Sequence, residues 1–112
     1  MLLRRADGKV ERVHQPAGRL LGIVVGPQQF LNTSLNMASN DTLLLYTDGL
    51  TETYDATRQN MFGLDRLMTA LHTLPANTTC ESWERTIKAS LETFSGKAEN
   101  DDDLTIFLLR RK

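Results

Sequence analysis

The stretch Leu43–Glu52 has the sequence LLLYTDGLTE, in which an uninterrupted apolar run leads directly to an acid and a glycine. An apolar run of this length is typical of a strand covered on both faces, and Asn40 and Asp41 supply the turn before it. Gly49 allows the backbone to bend, so that Asp48 projects from the end of the strand. Taken alone, an Asp-Gly pair is equally consistent with a simple turn that ends a strand.

A second acidic cluster lies far along the chain. Asn100–Asp103 runs directly into the apolar stretch Leu104–Leu109, which predicts another buried strand. An acid that follows one strand and an acid that precedes its antiparallel neighbour lie at the same end of the sheet. Carboxylates brought together in this way can share Mg²⁺ or Mn²⁺. The two clusters therefore predict a metal-binding end of the sheet.

The N-terminal third of the sequence predicts further strands. Leu2–Val13 is expected to form a hairpin, with Asp7 and Gly8 as a two-residue type I′ turn. Leu20–Val25 is expected to be a short strand or buried extended segment. Phe30–Met37 alternates roughly between apolar and polar residues, which predicts a half-exposed strand.

Two helices are predicted between the acidic clusters. Apolar residues recur at helical spacing over Gly63–Leu74. A capping-box pattern at Thr78–Glu81 starts a second helix that ends near Gly96, with Trp83 and Phe94 as core anchors. Strands first, then two helices and a final strand do not alternate as in a parallel α/β sheet. The prediction is an α+β fold with mainly antiparallel strands and two covering helices.

Composition narrows the class of protein. The chain has 112 residues, 13 Lys and Arg against 14 Asp and Glu, and a hydrophobic fraction of 40%, as in an ordinary globular domain. The balanced charge argues against a nucleic-acid partner. No apolar run approaches the roughly 20 residues of a membrane helix, and no signal-peptide core begins the chain, so we expect a cytoplasmic protein without a membrane partner. The single Cys80 excludes an intrachain disulfide.

The motifs together resemble one known family. They occur in family order and at roughly family spacing, at Asp7–Glu11, Leu21–Gly22, Tyr46–Glu52, Phe62–Leu67 and Asp102–Thr105. The chain resembles the C-terminal half of a SpoIIE-type domain, the bacterial branch of the metal-dependent PPM serine/threonine protein phosphatases. The resemblance implies part of a PPM-type β-sandwich and a single domain over residues 1–112.

The resemblance also implies a chemistry. Family members use a binuclear Mg²⁺ or Mn²⁺ centre to activate a water that attacks a phosphoserine or phosphothreonine. By resemblance, Asp48 and Asp102 are the metal-binding residues and no separate catalytic side chain is assigned. The ligand among Asp101, Asp102 and Asp103 depends on register, and alignment with the family motif selects Asp102. Glu52 lies nearby but is equally consistent with a surface or capping residue.

One departure from the family is large. The acidic Gly-Asp and Asp-x-Ser-Gly-His-Gly motifs of the family have no counterpart here. Two carboxylates are too few to hold two hard cations tightly, so we expect weak or no phosphatase activity from this chain alone. The implied substrate is a phosphorylated regulatory protein of the anti-sigma-factor antagonist type. The alternative is a non-catalytic half-domain or pseudophosphatase that acts as an interaction module, with an exposed sheet edge open to homo-oligomerisation.

Overall fold

The computed structural model describes residues 1–14, 26, 32–96 and 103–112. Within these residues, strands and helices follow one another in the order expected of an α+β fold. The elements are β1 (Leu2–Arg4), β2 (Val10–Arg12), β3 (Thr42–Tyr46), α1 (Asp48–Thr51), α2 (Gly63–His72), α3 (Cys80–Ser95) and β4 (Ile106–Arg110). The predicted strand over Leu20–Val25 lies outside the described residues.

The four strands form one antiparallel sheet in the order β2-β1-β3-β4. The predicted central strand is therefore central, since β3 pairs with β1 on one side and β4 on the other. Leu44 lies opposite Leu2 in β1 and opposite Leu108 in β4. Because opposite residues share a face, this register places their side chains together on the side of the sheet that faces the helices. The predicted α+β class with antiparallel pairing is confirmed.

The N-terminal hairpin forms as predicted, but its turn differs from the predicted type. Gly8 N–H donates to Arg5 O at 2.9 Å, and Arg5 N–H donates to Lys9 O at 2.8 Å, so the loop contains three residues between a closing pair. Only Gly8 takes a positive φ, of 96°, and Asp7 does not. The type I′ prediction was wrong because that geometry requires positive φ at both central residues.

The core lies between the sheet and the two longer helices. Its buried side chains come from β1, β3 and all three helices and include Leu2, Leu44, Leu50, Leu67, Leu71, Trp83, Ile87 and Leu91. The amphipathic spacing of the helix sequences accounts for this arrangement, because residues three or four apart share one face. Trp83 is a core residue, as predicted. Phe94 is half-buried and meets Phe62 edge to face, with ring centroids 5.5 Å apart.

Both predicted helices are confirmed, with small shifts at their ends. Helix α2 ends at His72, two residues earlier than predicted, and begins at Gly63, whose φ is +77°. Helix α3 is capped by Thr79, whose hydroxyl accepts from Ser82 N–H at 3.3 Å, so the cap lies one residue after the predicted box. Gly96 ends the helix in the left-handed conformation.

The described part of the predicted strand Phe30–Met37 is not a strand. Residues 32–38 have no regular secondary structure, and the chain then turns through Asn40, which has a φ of 69°. Hydrogen bonds from two arginine side chains, each directly after a strand of the sheet, hold this segment. Arg5 donates to Asn36 O at 3.1 Å, and Arg111 donates to Met37 O. These carbonyls accept from side chains that follow β1 and β4 and not from a neighbouring strand, so the alternating sequence forms an irregular surface segment.

Candidate functional site

Asp48 lies where the sequence places it, immediately beyond the end of β3. It is the first residue of α1 and its side chain is exposed. The short helix is anchored by the buried Leu50, and Thr53 Oγ1 donates to Gly49 O at 2.7 Å. Gly49 does not have the positive φ that a sharp left-handed bend would need, so the chain turns by entering a helix. The carboxylate is thus displayed on a short helix packed into the core.

The start of β4 lies beside the end of β3, as the two acidic clusters predict. Thr47 N–H donates to Thr105 O at 3.2 Å, and Thr105 N–H donates to Thr47 Oγ1 at 3.0 Å. Thr47 Oγ1 in turn donates to Asp103 O at 3.1 Å. Asp103, the last acid of the second cluster, is therefore hydrogen-bonded to Thr47, the residue before Asp48. We call this region, Thr47–Asp48 with Asp103–Thr105, the acidic end of the sheet.

The second predicted ligand cannot be placed in the same way. Asp102 and Asp101 lie outside the described residues, while Asp103 is described and exposed. Glu52 is also exposed, and its backbone N–H donates to Asp48 O at 2.8 Å at the end of α1. Of the predicted ligand pair, only Asp48 has a described position, and its assignment as a ligand stays a prediction.

The Asp48 carboxylate is chemically suited to a hard cation. Its Oδ1 accepts from Gly49 N–H at 3.1 Å, and it makes no other hydrogen bond to a described residue. Carboxylate oxygens are the donors that Mg²⁺ and Mn²⁺ prefer. However, no group of three or more His, Cys, Asp or Glu side chains is gathered for metal binding within residues 1–14, 26, 32–96 and 103–112. The described residues therefore gather too few ligands to fill the coordination of a hard cation, and most positions around an ion would fall to water or other groups.

Asp41 is a second acid of the central strand region, and it has a different role. It is 1% exposed, at the opposite end of β3 from Asp48. Burial alone would raise its pKa, but hydrogen bonds from Ala38 N–H, the Arg5 guanidinium and Ala6 N–H hold the pKa below its ordinary value. The carboxylate therefore joins β1 to the segment before β3. The sequence indicates the turn here, but not the burial of its acid.

Asp55 organises the loop that follows α1. Side-chain hydrogen bonds from Asn60 and Thr57, with a further bond from Gln59 N–H, lower the pKa of its carboxyl group to about 2. Tyr54 and Met61 form a bridge across the base of the loop. Hydrogen bonds to the Asp55 carboxylate therefore stabilise the loop. The Asp-x-Thr pattern, typical of an Asx turn, is its signal in the sequence.

The comparison with protein-family models identifies the chain. The model for Stage II sporulation protein E (SpoIIE) matches residues 1–112, the full length of the sequence. The chain belongs to the SpoIIE family. Searches of curated proteins and of solved structures gave no match. The predicted family is therefore confirmed, and with it a relationship to the PPM-type phosphatases.

The family assignment agrees with the sequence motifs of the chain. The matched region of this SpoIIE chain includes the strand-end Asp48-Gly49 pair and the Phe62-Gly63 pair that begins α2. PPM phosphatases are generally metal-dependent, which makes the acidic end the part of the chain to consider for chemistry. Among the helices of the described residues, none has the length and apolar character required to cross a membrane.

Proposed function

We propose that this chain carries the closing part of a metal-dependent phosphoserine or phosphothreonine protein phosphatase site. The proposal rests on the family match over residues 1–112. The exposed Asp48 at the acidic end of the sheet agrees with it. In this proposal Asp48 and Asp102 are ligands for Mg²⁺ or Mn²⁺. When bound, such an ion lowers the pKa of a coordinated water and neutralises charge on the phosphoryl oxygens.

The protein's own task at this site is to hold Asp48 in position. Buried Leu50 and the Thr53–Gly49 hydrogen bond fix α1 to the core, so the carboxylate is presented with little freedom in its backbone. Thr47 ties the start of β4 to the same point. This arrangement supports the proposal that ligands from both strands approach one another. It also favours rigid positioning, which metal-assisted hydrolysis requires.

We further propose that the chain alone is a weak phosphatase or an inactive one. Each hard cation prefers six or more oxygen ligands, and two carboxylates leave most of that number to water. The substrate class proposed from the family is a phosphorylated regulatory protein of the anti-sigma-factor antagonist type. A complete site would need ligands beyond the two named here.

The experiment is a phosphate-release assay on a phosphoserine-containing protein with and without Mn²⁺. We expect release that is slow or undetectable, and any release should require Mn²⁺ and be lost in Asp48→Asn. The matched control is Asp65→Asn, which removes an exposed acid from α2 and should leave release unchanged. Release that persists in Asp48→Asn would contradict the proposed role of this residue.

A non-catalytic interaction module is the second candidate, and one observation favours it. Large apolar side chains are exposed on the sheet face away from the helices, namely Leu45, Phe107 and Leu109. Exposed apolar groups that cluster on one surface are typical of contact sites. Under this alternative, binding of the regulatory protein would be unaffected by Asp48→Asn and by chelation of metal. Binding that depends on both would favour the phosphatase-type role.

A further inference from the structure

Strand β4 forms one outer edge of the sheet. Among the described residues it pairs only with β3. Its side chains alternate strictly, with odd-numbered residues from Asp103 to Arg111 exposed on the outer face and Leu104–Arg110 at even positions half-buried towards the helices. An edge strand of this kind presents backbone groups that another strand can use.

The hydrogen bonds to β3 show which backbone groups those are. Arg111 N–H donates to Asp41 O at 3.0 Å, and Thr47 N–H donates to Thr105 O at 3.2 Å, so odd-numbered residues of β4 direct their peptide groups towards β3. In an antiparallel ladder, successive residues direct these groups to opposite sides. The N–H and C=O groups of Ile106 and Leu108 therefore point away from the sheet.

We propose that a second copy of this chain pairs with β4 in antiparallel orientation, about a two-fold axis at Phe107. In this register Ile106 lies opposite Leu108 of the second copy, and their outward peptide groups meet as a hydrogen-bonded pair. Phe107 lies opposite its own copy at a non-hydrogen-bonded position, where side chains approach most closely. The two sheets become one continuous sheet with a closed, isologous interface.

The order of charges along the strand argues for a second copy as the occupant. Asp103 precedes β4, whereas Arg111 and Lys112 follow it. In the proposed register, Asp103 lies opposite Arg111 of the second copy on the outer face, and the symmetry repeats this pair at the other end. A parallel arrangement would instead place acid beside acid and base beside base. The strand is thus complementary to itself in one orientation only.

The apolar surface around β4 supports the same arrangement. Phe107 is 54% exposed and is the most exposed large apolar side chain among the described residues. On the helix side, an open groove of about 470 Å³ separates β4 from α3. Leu104, Ile106 and Leu108 form one wall and α3 forms the other. The α3 wall carries Glu81, Glu84 and Lys88, so only the β4 wall is apolar. Ile106 and Leu108 of a second copy would lie against that apolar wall beneath the extended sheet.

The test is sedimentation velocity of the full chain across roughly 10 μM to 1 mM, because a single edge strand buries less surface than tight interfaces do. We expect a monomer–dimer equilibrium. Phe107→Lys places two like charges opposite each other at the axis and should weaken dimerisation at least about tenfold. Leu45→Lys is the matched control, since Leu45 lies on the same face but on β3, opposite Phe107 and away from the edge. It should leave the dimer intact.

A charge exchange tests the register independently of the apolar contacts. Asp103→Arg should weaken the dimer because two arginines then face each other across each end. Adding Arg111→Asp to the same chain restores opposite charges and should recover most of the lost affinity. Circular dichroism establishes that each variant is folded. A chain that stays monomeric at 1 mM overturns the proposal, as does equal weakening by Leu45→Lys and Phe107→Lys, which indicates packing through the sheet face. Failure of the charge exchange to recover affinity overturns the register.

Discussion

Thr47 and Thr105 hold the acidic end of the sheet together through reciprocal hydrogen bonds. The backbone N–H of Thr47 donates to Thr105 O, and the hydroxyl of Thr47 accepts from Thr105 N–H. The same hydroxyl donates to Asp103 O. One side chain thus supports the start of β4 next to Asp48. This relationship explains how two acidic segments separated by about half the chain reach the same place.

Replacing Thr47 with Val should loosen this connection. Val has nearly the same shape but lacks the hydroxyl, so Thr105 N–H loses its acceptor and Asp103 O loses its donor. We expect the free energy of unfolding to fall by about 1–2 kcal/mol. Urea denaturation measures this change, and hydrogen exchange of the Thr105 amide should become faster. Thr47→Ser retains the hydroxyl and should show much less acceleration; equal acceleration in both variants would contradict the role of Oγ1.

Because of Asp41, the free energy of unfolding should decrease at low pH. Its pKa in the folded state lies below the unfolded value of about 3.9, so its contribution is fully present above that value and is lost as the pH falls through the folded pKa. Asp41→Asn should lower the free energy of unfolding at pH 7 by roughly 1–3 kcal/mol. Urea midpoints between pH 7 and pH 3 measure both effects. If Asp41→Asn left the pH dependence between pH 4 and pH 3 unchanged, the acid response would have to come from another group.

The pKa of Asp55, in the loop after α1, can be measured directly. The carboxyl group of Asp55 should titrate with a pKa of about 2, followed by carbon-13 NMR of the side chain. Asn60→Ala removes a side-chain hydrogen bond of 2.8 Å and should raise this pKa towards the ordinary value for Asp. Gln59→Ala serves as the control because Gln59 contributes only its backbone N–H. A similar increase in both variants would mean that the Asn60 amide has no special effect.

Substitution of Gly63 should destabilise the protein because of the backbone conformation at this position. Its φ is +77°, and a Cβ built there meets nothing within 4 Å, so any cost arises from φ and not from crowding. Gly63→Ala should lower the free energy of unfolding by about 1–2 kcal/mol. Asn tolerates this region better, so Gly63→Asn should cost less. Thermal or urea denaturation gives the comparison, and equal costs would point to a role for Gly63 other than its φ.

The sequence predicted the elements of the fold that depend on local patterns of apolar and turn residues. The apolar run before Asp48 predicted the central strand, because a short apolar stretch bounded by turn residues is typical of a strand. The predicted burial of this strand and of β4 was wrong for the outer face, where Leu45 and Phe107 are exposed. The spacing of Trp83, Ile87 and Leu91 predicted α3 because their common face is buried. Antiparallel pairing then predicted that the start of β4 lies beside Asp48. The strand and helix predictions required only local patterns, whereas the position of β4 followed from the assumed pairing of two distant strands.

Distant contacts account for what the sequence did not predict. The burial of Asp41 depends on Arg5, 36 positions earlier in the chain. The sequence of the segment 32–38 alternates like that of a strand. Its carbonyl groups at Asn36 and Met37 instead accept hydrogen bonds from the side chains of Arg5 and Arg111. At the acidic end, Asp48 could be located from its motif, whereas the metal ligation itself depends on how many oxygen atoms converge. No local pattern specifies that number.

The proposed metal site is tested most directly by Mn²⁺ titration of the nitrogen-15-labelled chain, monitored by paramagnetic broadening of backbone amide signals. We predict broadening confined to residues around Asp48 and the start of β4. It should be lost in Asp48→Asn, weakened in Asp102→Asn and unchanged in Asp65→Asn. Broadening that remains in Asp48→Asn, or the absence of any localised broadening at millimolar Mn²⁺, would contradict the claim that the acidic end of the sheet binds the metal.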